Sequence, residues 1–266
     1  MPLKTSTNLY HKIISFLGFL FQSRNKHGVH SPFVFNLITN CLGKKLPNKY
    51  LILFSNYKKE LRIHTSTIDI TDYNADSKII YSNKKNVLKI AKDTIVSTKR
   101  AKLLMNLMHY FNPDNILEIG TSLGSRTAAI SISAPDSKIT TLESCKETGY
   151  ITKKMFEKYN FKNSRLVIGS FDTSLPKELK NNNFDFIYFN GNHTKKATLD
   201  YFKLSLASVN NDSMIVVNNI HSNKEMEQAW IEIKNHSKVT VSIDTYQWGI
   251  VFFRKEQQKE HFIIRI

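Results

Sequence analysis

The pattern of apolar and polar residues changes near residue 112. From there to residue 254, short apolar runs alternate with longer stretches in which apolar residues recur three and four positions apart. Such short runs fit strands of a parallel sheet buried on both faces, and the longer stretches fit covering helices. The pattern therefore predicts five strand–helix units and a final antiparallel pair, with strands at 115–119, 138–142, 165–168, 184–189, 214–217, 239–245 and 249–253 and a tail strand at 262–264.

The first 42 residues predict helices. The apolar run at residues 13–21 is shorter than the roughly 20 residues that span a bilayer. We expect a helix packed on the main domain, with a helix lying in a membrane interface as the alternative. Ser31, followed by Pro32, predicts the start of a second helix that ends near residue 42.

Residues 44–86 carry the weakest pattern. They contain β-like runs at 51–54 and 68–70 and loop-forming residues at 72–78, a composition that suits a lid over an active site. Residues 87–111 regain helical spacing and predict one or two amphipathic helices. We therefore expect a basic, mostly helical extension at residues 1–86 and a main domain at residues 87–266.

Charge follows this division. The net charge is +16, and residues 1–100 hold 17 Lys and Arg against 5 Asp and Glu. This excess fits nucleic acid, acidic lipid or a phosphorylated substrate, or equally a generally basic protein background. The only cysteines, Cys41 and Cys145, are far apart, which favours a reduced, cytoplasmic protein over a disulfide scaffold. The sequence leaves the oligomeric state open.

The chemistry is predicted at the end of the strand 115–119. Gly120 and Gly124 allow a ligand to approach the backbone closely, and Thr121 and Ser122 add hydroxyl groups beside the free N–H groups of a helix start. Open α/β sheets bind ligands at such strand–turn–helix junctions.

Two glutamates extend this candidate site. Glu118 lies in an otherwise apolar strand, where burial of a carboxylate is costly unless a partner such as a cationic ligand group binds it. Glu143 ends the next strand, about 20 residues beyond the glycine turn, where nucleotide-binding folds place an acid on the ribose hydroxyls.

The segment Glu118-Ile-Gly-Thr-Ser-Leu-Gly124 resembles the first motif of class I S-adenosylmethionine (SAM)-dependent methyltransferases. The order of elements over residues 112–254 is similar to theirs, and residues 184–193 and 226–230 resemble the bacterial O-methyltransferase-like branch. Residues 27–33 resemble a bacterial subgroup with an N-terminal extension. The resemblance implies a Rossmann-like, seven-stranded sheet with its last strand antiparallel, flanked by helices.

The same resemblance implies SAM as the cofactor and assigns the residues that would contact it. The residues that would hold the methionine end lie in the glycine turn and the strand before it: Glu118, Gly120, Thr121, Ser122 and Gly124. The following acid, Glu143, would hold the ribose. The residues that would contact the adenine come after the third strand: Gly169, Ser170 and Phe171. Asn190 would lie nearest the transferring methyl group.

The fourth and fifth strand ends differ from those of metal-dependent relatives, which carry acids there. This chain has Asn190 and the pair Asn218-Asn219 instead. Neutral amides are weak ligands for hard cations, so we expect no bound metal. Removal of a proton from a hydroxyl acceptor then needs a base, and His193 and His221, which follow these strands, are the candidates.

We expect a SAM-dependent methyltransferase that acts on an oxygen of a small or surface-associated molecule. One alternative is a catalytically inactive binding protein of the same fold, suggested by the missing acids. Another is an RNA-modifying enzyme that uses the basic extension to bind phosphates. Nucleic acid and weak association with a membrane surface thus stay open as interactions.

Overall fold

The computed structural model describes residues 3–25, 28–72 and 81–266. The chain divides into two compact units. We call Asn40–Glu178 the glycine-turn unit, and Met1–Thr39 with Leu179–Ile266 the terminal unit. His27 and most of the predicted loop 72–78 lie outside the described residues.

The glycine-turn unit contains a parallel sheet with strand order β3-β4-β5. Its core strand β3 is buried from its second residue onward, and the helix α6 that follows is buried along its whole length. A separate antiparallel hairpin, β1–β2, precedes it in the chain. The elements are α3 (Asn48–Ile63), β1 (Thr67–Asp72), β2 (Tyr81–Asn86), α4 (Val87–Thr94), α5 (Thr98–Phe111), β3 (Asn115–Ile119), α6 (Ser125–Ser133), β4 (Lys138–Glu143), α7 (Lys146–Lys158), β5 (Ser164–Ile168) and α8 (Phe171–Asn181).

The terminal unit joins both ends of the chain and contains strands in the order β10-β8-β9-β7-β6. Strand β9 is antiparallel to both of its neighbours, whereas β6 and β7, and β8 and β10, pair in parallel. The elements are α1 (Leu3–Gln22), α2 (Pro32–Asn36), β6 (Phe186–Phe189), α9 (Lys195–Ser205), β7 (Met214–Asn218), α10 (Lys224–Asn235), β8 (Val241–Asp244), β9 (Trp248–Phe252) and β10 (Glu260–Ile263).

The predicted fold class is confirmed. Strands β3 to β9 are the seven predicted strands, with helices between them and the last strand antiparallel. The predicted tail strand is present as β10. Residues 87–111 form two helices, α4 and α5, each with a capping side chain at its start, from Asn86 and Ser97.

One strand-like prediction is wrong. Residues 51–54 belong to helix α3, in which Phe54, Tyr57 and Leu61 are buried while Ile52 and Leu53 are exposed. The buried residues recur at helical spacing. This spacing becomes visible only over three turns, so the short apolar run alone gave the wrong period.

Two helix starts also differ from the predictions. In helix α10 the sequence pattern Ser222-x-x-Glu225 predicts a capping box. The helix is instead capped by Asn223, whose side chain accepts a hydrogen bond from the Met226 N–H. Helix α2 begins at Pro32 as predicted, but the Ser31 side chain makes no capping bond. A π-helical segment, Leu37–Leu42, continues α2 to the predicted end.

The first 86 residues contribute to both compact units. Helices α3 and α4 belong to the glycine-turn unit, where Tyr57, Leu61 and Val87 share one hydrophobic cluster with Leu123 and Ala128. Helix α1 instead contacts residues of α10 and of the β8–β9 turn in the terminal unit. The N-terminal residues are therefore shared between both units because their apolar faces pack on different partners.

None of the helices that the structure describes has the length and apolar character needed to cross a membrane.

Candidate functional site

The junction of β3 and α6 is a tight turn held in left-handed backbone conformations. The φ angles are 96° at Gly120, 51° at Ser122 and 70° at Gly124. A positive φ is unfavourable for a residue with a Cβ atom, so Ser122 is a strained position of the kind that concentrates at ligand sites. The N–H groups of Gly120 and Thr121 both donate to the Leu142 carbonyl oxygen, at 2.9 and 3.0 Å, which ties the turn to β4.

Gly124 is required by packing as well as by its backbone angle. A Cβ atom there would lie 2.7 Å from the Tyr57 hydroxyl oxygen, 2.7 Å from a ring carbon of Phe156 and 2.8 Å from a methyl carbon of Thr152. Tyr57 is fully buried, and its hydroxyl donates to the Leu123 carbonyl oxygen at 2.9 Å. The Thr152 hydroxyl donates to the Ser122 carbonyl oxygen at 2.6 Å. Helices α3 and α7 thus support the turn.

Glu118 is completely buried at the end of β3. Its Oε2 accepts hydrogen bonds from the hydroxyls of Thr127, at 2.5 Å, and Thr141, at 2.7 Å. Among the described residues its Oε1 has no hydrogen-bond partner. Burial raises the pKa of Glu118 to about 7, although the two threonine hydrogen bonds and the charge of Arg126 oppose that rise.

Glu143 contacts the turn directly. Its Oε2 accepts a hydrogen bond from the Ser122 N–H at 2.6 Å, and its Oε1 accepts one from the Cys145 N–H at 2.8 Å. An ionised carboxylate acts only as a hydrogen-bond acceptor, so Glu143 is matched to N–H and hydroxyl donors. Both predicted glutamates therefore belong to one unit and border one turn.

The residues predicted near the adenine follow β5 in the same unit. The Gly169 N–H donates to the Glu143 carbonyl oxygen at 2.8 Å, which places the start of this loop beside the end of β4. Ser170 is the turn residue before α8, and its Oγ accepts a bond from the Asp172 N–H at 3.3 Å. Phe171 is the first residue of α8.

This unit fits a ligand that carries both a cation and hydroxyl groups. The buried, unpaired Oε1 of Glu118 suits a positively charged group, which would also repay the cost of burying a carboxylate. The Glu143 carboxylate, an acceptor at the end of β4, suits ligand hydroxyls. Sequence reasoning identified both acids but missed Tyr57, because its helix carried no recognisable link to the glycine turn.

In the terminal unit, the ends of β6 and β7 bring four polar side chains together in two pairs. The Asn218 Nδ2 donates to the Asn190 Oδ1 at 2.9 Å, and the Asn218 Oδ1 accepts from the Trp248 indole N–H at 3.1 Å. The Asn219 Nδ2 lies 3.3 Å from the His193 Nε2. The φ angle of Asn219 is 60°, another left-handed residue at a strand end.

His221 has a different environment. Its Nε2 lies 2.8 Å from the Asp244 Oδ2, and its Nδ1 lies 2.7 Å from the Glu227 Oε1 and 3.0 Å from the Ser15 Oγ. Burial lowers the pKa of His221, but hydrogen bonds and charges from Asp244 and Glu227 outweigh it and raise the pKa above 6.5. The raised pKa favours the protonated ring, and both ring nitrogens face carboxylates, so neither nitrogen is left to accept a proton from a substrate. This environment argues against the predicted role as a base.

No group of three or more histidine, cysteine, aspartate or glutamate side chains suited to a metal is found in the part of the chain that the structure describes. At the strand ends where relatives carry acids, the side-chain donors are neutral amides, and the Asn218 amide is engaged at both its nitrogen and its oxygen.

The parallel strands, the glycine turn after the first of them and the antiparallel last strand define a class I methyltransferase fold. Residues 117–220 match the family model described as "Methyltransferase domain". The predicted resemblance is thereby confirmed. No curated protein sequence matches the chain significantly.

Solved structures share the fold at low sequence identity. Cofactor-bound Rv0187 from MTB is 14% identical, with a TM-score of 0.56, 84% of this chain and 95% of that chain covered. The SAH-bound methyltransferase PaMTH1 of Podospora anserina is 14% identical, with a TM-score of 0.56 and coverages of 80% and 100%. The O-methyltransferase of Bacillus cereus in complex with SAH is 18% identical, with a TM-score of 0.53 and coverages of 84% and 97%.

Proposed function

We propose that the chain transfers a methyl group from SAM to an oxygen of a small or surface-associated acceptor without a bound metal. The observation that carries the proposal is the Glu118 carboxylate, which is fully buried at the end of β3 with one oxygen unpaired among the described residues. A buried carboxylate oxygen that lacks a hydrogen-bond partner is destabilising by itself. A cationic cofactor that pairs with it gives the residue a function.

SAM has the groups that these residues fit. Its ammonium group would pair with Glu118, and its ribose hydroxyls would hydrogen-bond to the Glu143 carboxylate. SAM supplies the methyl carbon when bound, while the protein holds and orients it, which is the main requirement of an in-line displacement. The structures of PaMTH1 and of the Bacillus cereus O-methyltransferase, which share this fold, contain S-adenosylhomocysteine (SAH).

The acceptor atom is proposed to be oxygen. Structures with this fold include O-methyltransferases from Bacillus cereus and Streptomyces achromogenes. Proton removal from a hydroxyl acceptor then falls to His193, because His221 is held between carboxylates. Asn190 would position the acceptor. The neutral donors Asn190 and Asn218 support metal-free chemistry.

A cytoplasmic location belongs to the same proposal. Both cysteines, Cys41 and Cys145, are free and buried, as expected for a protein of a reducing compartment.

The test is calorimetric titration with SAM and with SAH on the wild type, Glu118→Gln and Glu157→Gln. Glu157 is an exposed glutamate on α7 and controls for the loss of one charge. We expect Glu118→Gln to weaken SAM binding about tenfold to a hundredfold, the value of a charge-assisted hydrogen bond. Glu157→Gln should bind like the wild type.

The titration also separates the alternatives. Absence of SAM and SAH binding to the wild type would refute the proposal. Tight binding without turnover on any hydroxyl acceptor would favour the inactive binding protein. An RNA-modifying enzyme would instead require oligonucleotide binding that falls steeply with salt concentration.

A further inference from the structure

Helix α1 is attached to the terminal unit by its inner face. Ser15 hydrogen-bonds to Glu227 and His221, and the Tyr246 hydroxyl donates to the Lys12 carbonyl oxygen at 2.9 Å. The ring of Phe19, which is buried, packs on Tyr246 with centroids 5.5 Å apart. These contacts fix the rotation of the helix about its axis, and therefore which residues face outward.

The outward face of α1 is a continuous apolar stripe. Its members lie three, four, seven and eleven residues after the first one, so they lie along one side of the helix. Phe21, at the end of this stripe, is 89% exposed, and Tyr10, at its beginning, is 68% exposed. We call this set the α1 stripe; its large exposed members are Tyr10, Ile13, Ile14, Leu17 and Phe21. Large exposed apolar patches of this kind mark interaction surfaces.

The charges around the stripe are positive. Residues 1–39 contain no Asp or Glu, and Lys12 and Arg24 are exposed on and just beyond the helix. Glu227, which hydrogen-bonds to Ser15 on the inner face of α1, is paired with His221, and so is Asp244. An approaching surface therefore meets apolar side chains flanked by the exposed cations Lys12 and Arg24.

We propose that α1 binds the surface of a membrane that contains anionic lipids, with the α1 stripe inserted at the boundary between headgroups and acyl chains. A helix with one apolar face and flanking basic residues binds in this way, through buried apolar area and attraction to anionic headgroups. A second copy of the chain is the less suitable occupant, because each copy has a net charge of +16 and like charges oppose association. The proposal rests on the terminal unit alone and is independent of methyl transfer.

Vesicle flotation of the full chain tests this proposal. Vesicles of phosphatidylcholine alone would be compared with vesicles containing about 30% phosphatidylglycerol. We expect binding to the anionic vesicles. The double variant Leu17→Gln/Phe21→Gln should reduce the partition coefficient about tenfold or more, since both side chains lose their insertion into the acyl boundary.

Two further variants serve as a control and as a test of the contribution of the basic residues. Ile231→Gln, at a half-exposed position on α10, is the matched control and should bind like the wild type. Lys12→Gln/Arg24→Gln should weaken binding to anionic vesicles about fivefold for each charge removed. All these positions are exposed, so each variant should retain the wild-type melting temperature.

The proposal would be overturned if the wild type fails to float with anionic vesicles, or if Leu17→Gln/Phe21→Gln floats as well as Ile231→Gln. It would also be overturned by sedimentation analysis showing a stable dimer that Leu17→Gln/Phe21→Gln converts to monomer, because the stripe would then be the interface between two copies.

Discussion

The Glu118 carboxylate affects both the stability of this protein and its proposed function. Glu118 is buried, and hydroxyls of Thr127 and Thr141 satisfy only one of its oxygens. Burial raises the pKa of Glu118 to about 7, so near neutral pH the free protein holds this acid partly protonated. A raised carboxyl pKa means that the contribution of Glu118 to stability falls as the pH rises from about 4.5 to about 7.

Binding of a cation beside Glu118 should favour the ionised form of this carboxylate over the protonated form. The ionised form is favoured in the complex, so SAM binding should release about one proton at pH 6 and few at pH 8, and affinity should increase as the pH rises toward 7. Calorimetry in buffers of different ionisation enthalpy measures the protons released. Glu118→Gln should remove this proton release; if the variant releases as many protons as the wild type, another group is responsible.

Gly124 provides a steric test of the turn. Gly124→Ala places a Cβ atom against Tyr57, Phe156 and Thr152 at a φ of 70°, so we expect a loss of stability of about 1–3 kcal/mol and weakened SAM binding. Chemical denaturation measures the first effect. The control is Gly18→Ala on α1, where nothing lies within 4 Å of the added Cβ atom; equal losses in both variants would contradict the steric explanation.

For individual residues, the sequence predicted the features that depend on local spacing along the chain. Glu118, Gly120, Gly124 and Glu143 were identified because a short strand, a glycine turn and the next strand end recur at fixed separations. The support that Tyr57 gives the turn depends on a contact across 66 residues, and local spacing carries no information about such contacts.

Among the elements, α1 shows how one helix is held by a small polar cluster. The His221 ring bridges Glu227 of α10 and Asp244 of β8, and Ser15 of α1 joins the same group. Tyr246 stacks on the His221 ring with centroids 5.2 Å apart. Polar and aromatic contacts with the same few residues thus fix the inner face of α1.

This cluster should make the attachment of α1 dependent on pH. The folded-state pKa of His221 is raised, so the stability that the charged ring contributes is complete below its unfolded value of 6.5 and is lost as the pH rises through the raised value. Hydrogen exchange should therefore show lower protection factors for α1 amides when the pH is above the raised pKa of His221 than at pH 6. In His221→Gln this difference should disappear; its persistence would assign the pH dependence to other groups.

The strand ends of β6 and β7 allow a test of metal independence. The melting temperature of the wild type should not respond to Mg²⁺ or to a chelator. Asn190→Asp restores one acid at the position where metal-dependent relatives carry one, and we expect Mg²⁺ to raise the melting temperature of this variant by about 2–4 °C per kcal/mol of binding energy. A clear response of the wild type to Mg²⁺ would contradict the metal-free proposal.

For the whole molecule, the sequence predicted the order of strands and helices better than the grouping of the chain. Alternation of short apolar runs with helical spacing located β3 to β9, because buried parallel strands leave a strong local pattern. The compact units join residues 1–39 to residues 179–266, and such pairing of distant segments depends on which faces pack together. The sequence likewise did not determine which face of α1 points outward, because this depends on the contacts of its inner face.

The most direct measurement is a crystal structure of the chain with SAH. We predict SAH over the turn between Gly120 and Gly124, with its amino group beside Glu118 and its ribose hydroxyls within about 2.6–3.2 Å of the Glu143 carboxylate. The glycine-turn unit has another cavity, of about 630 Å³, lined by residues of α7 and β5 such as Tyr150 and Leu166. SAH bound in that cavity, or bound nowhere at saturating concentration, would contradict the account.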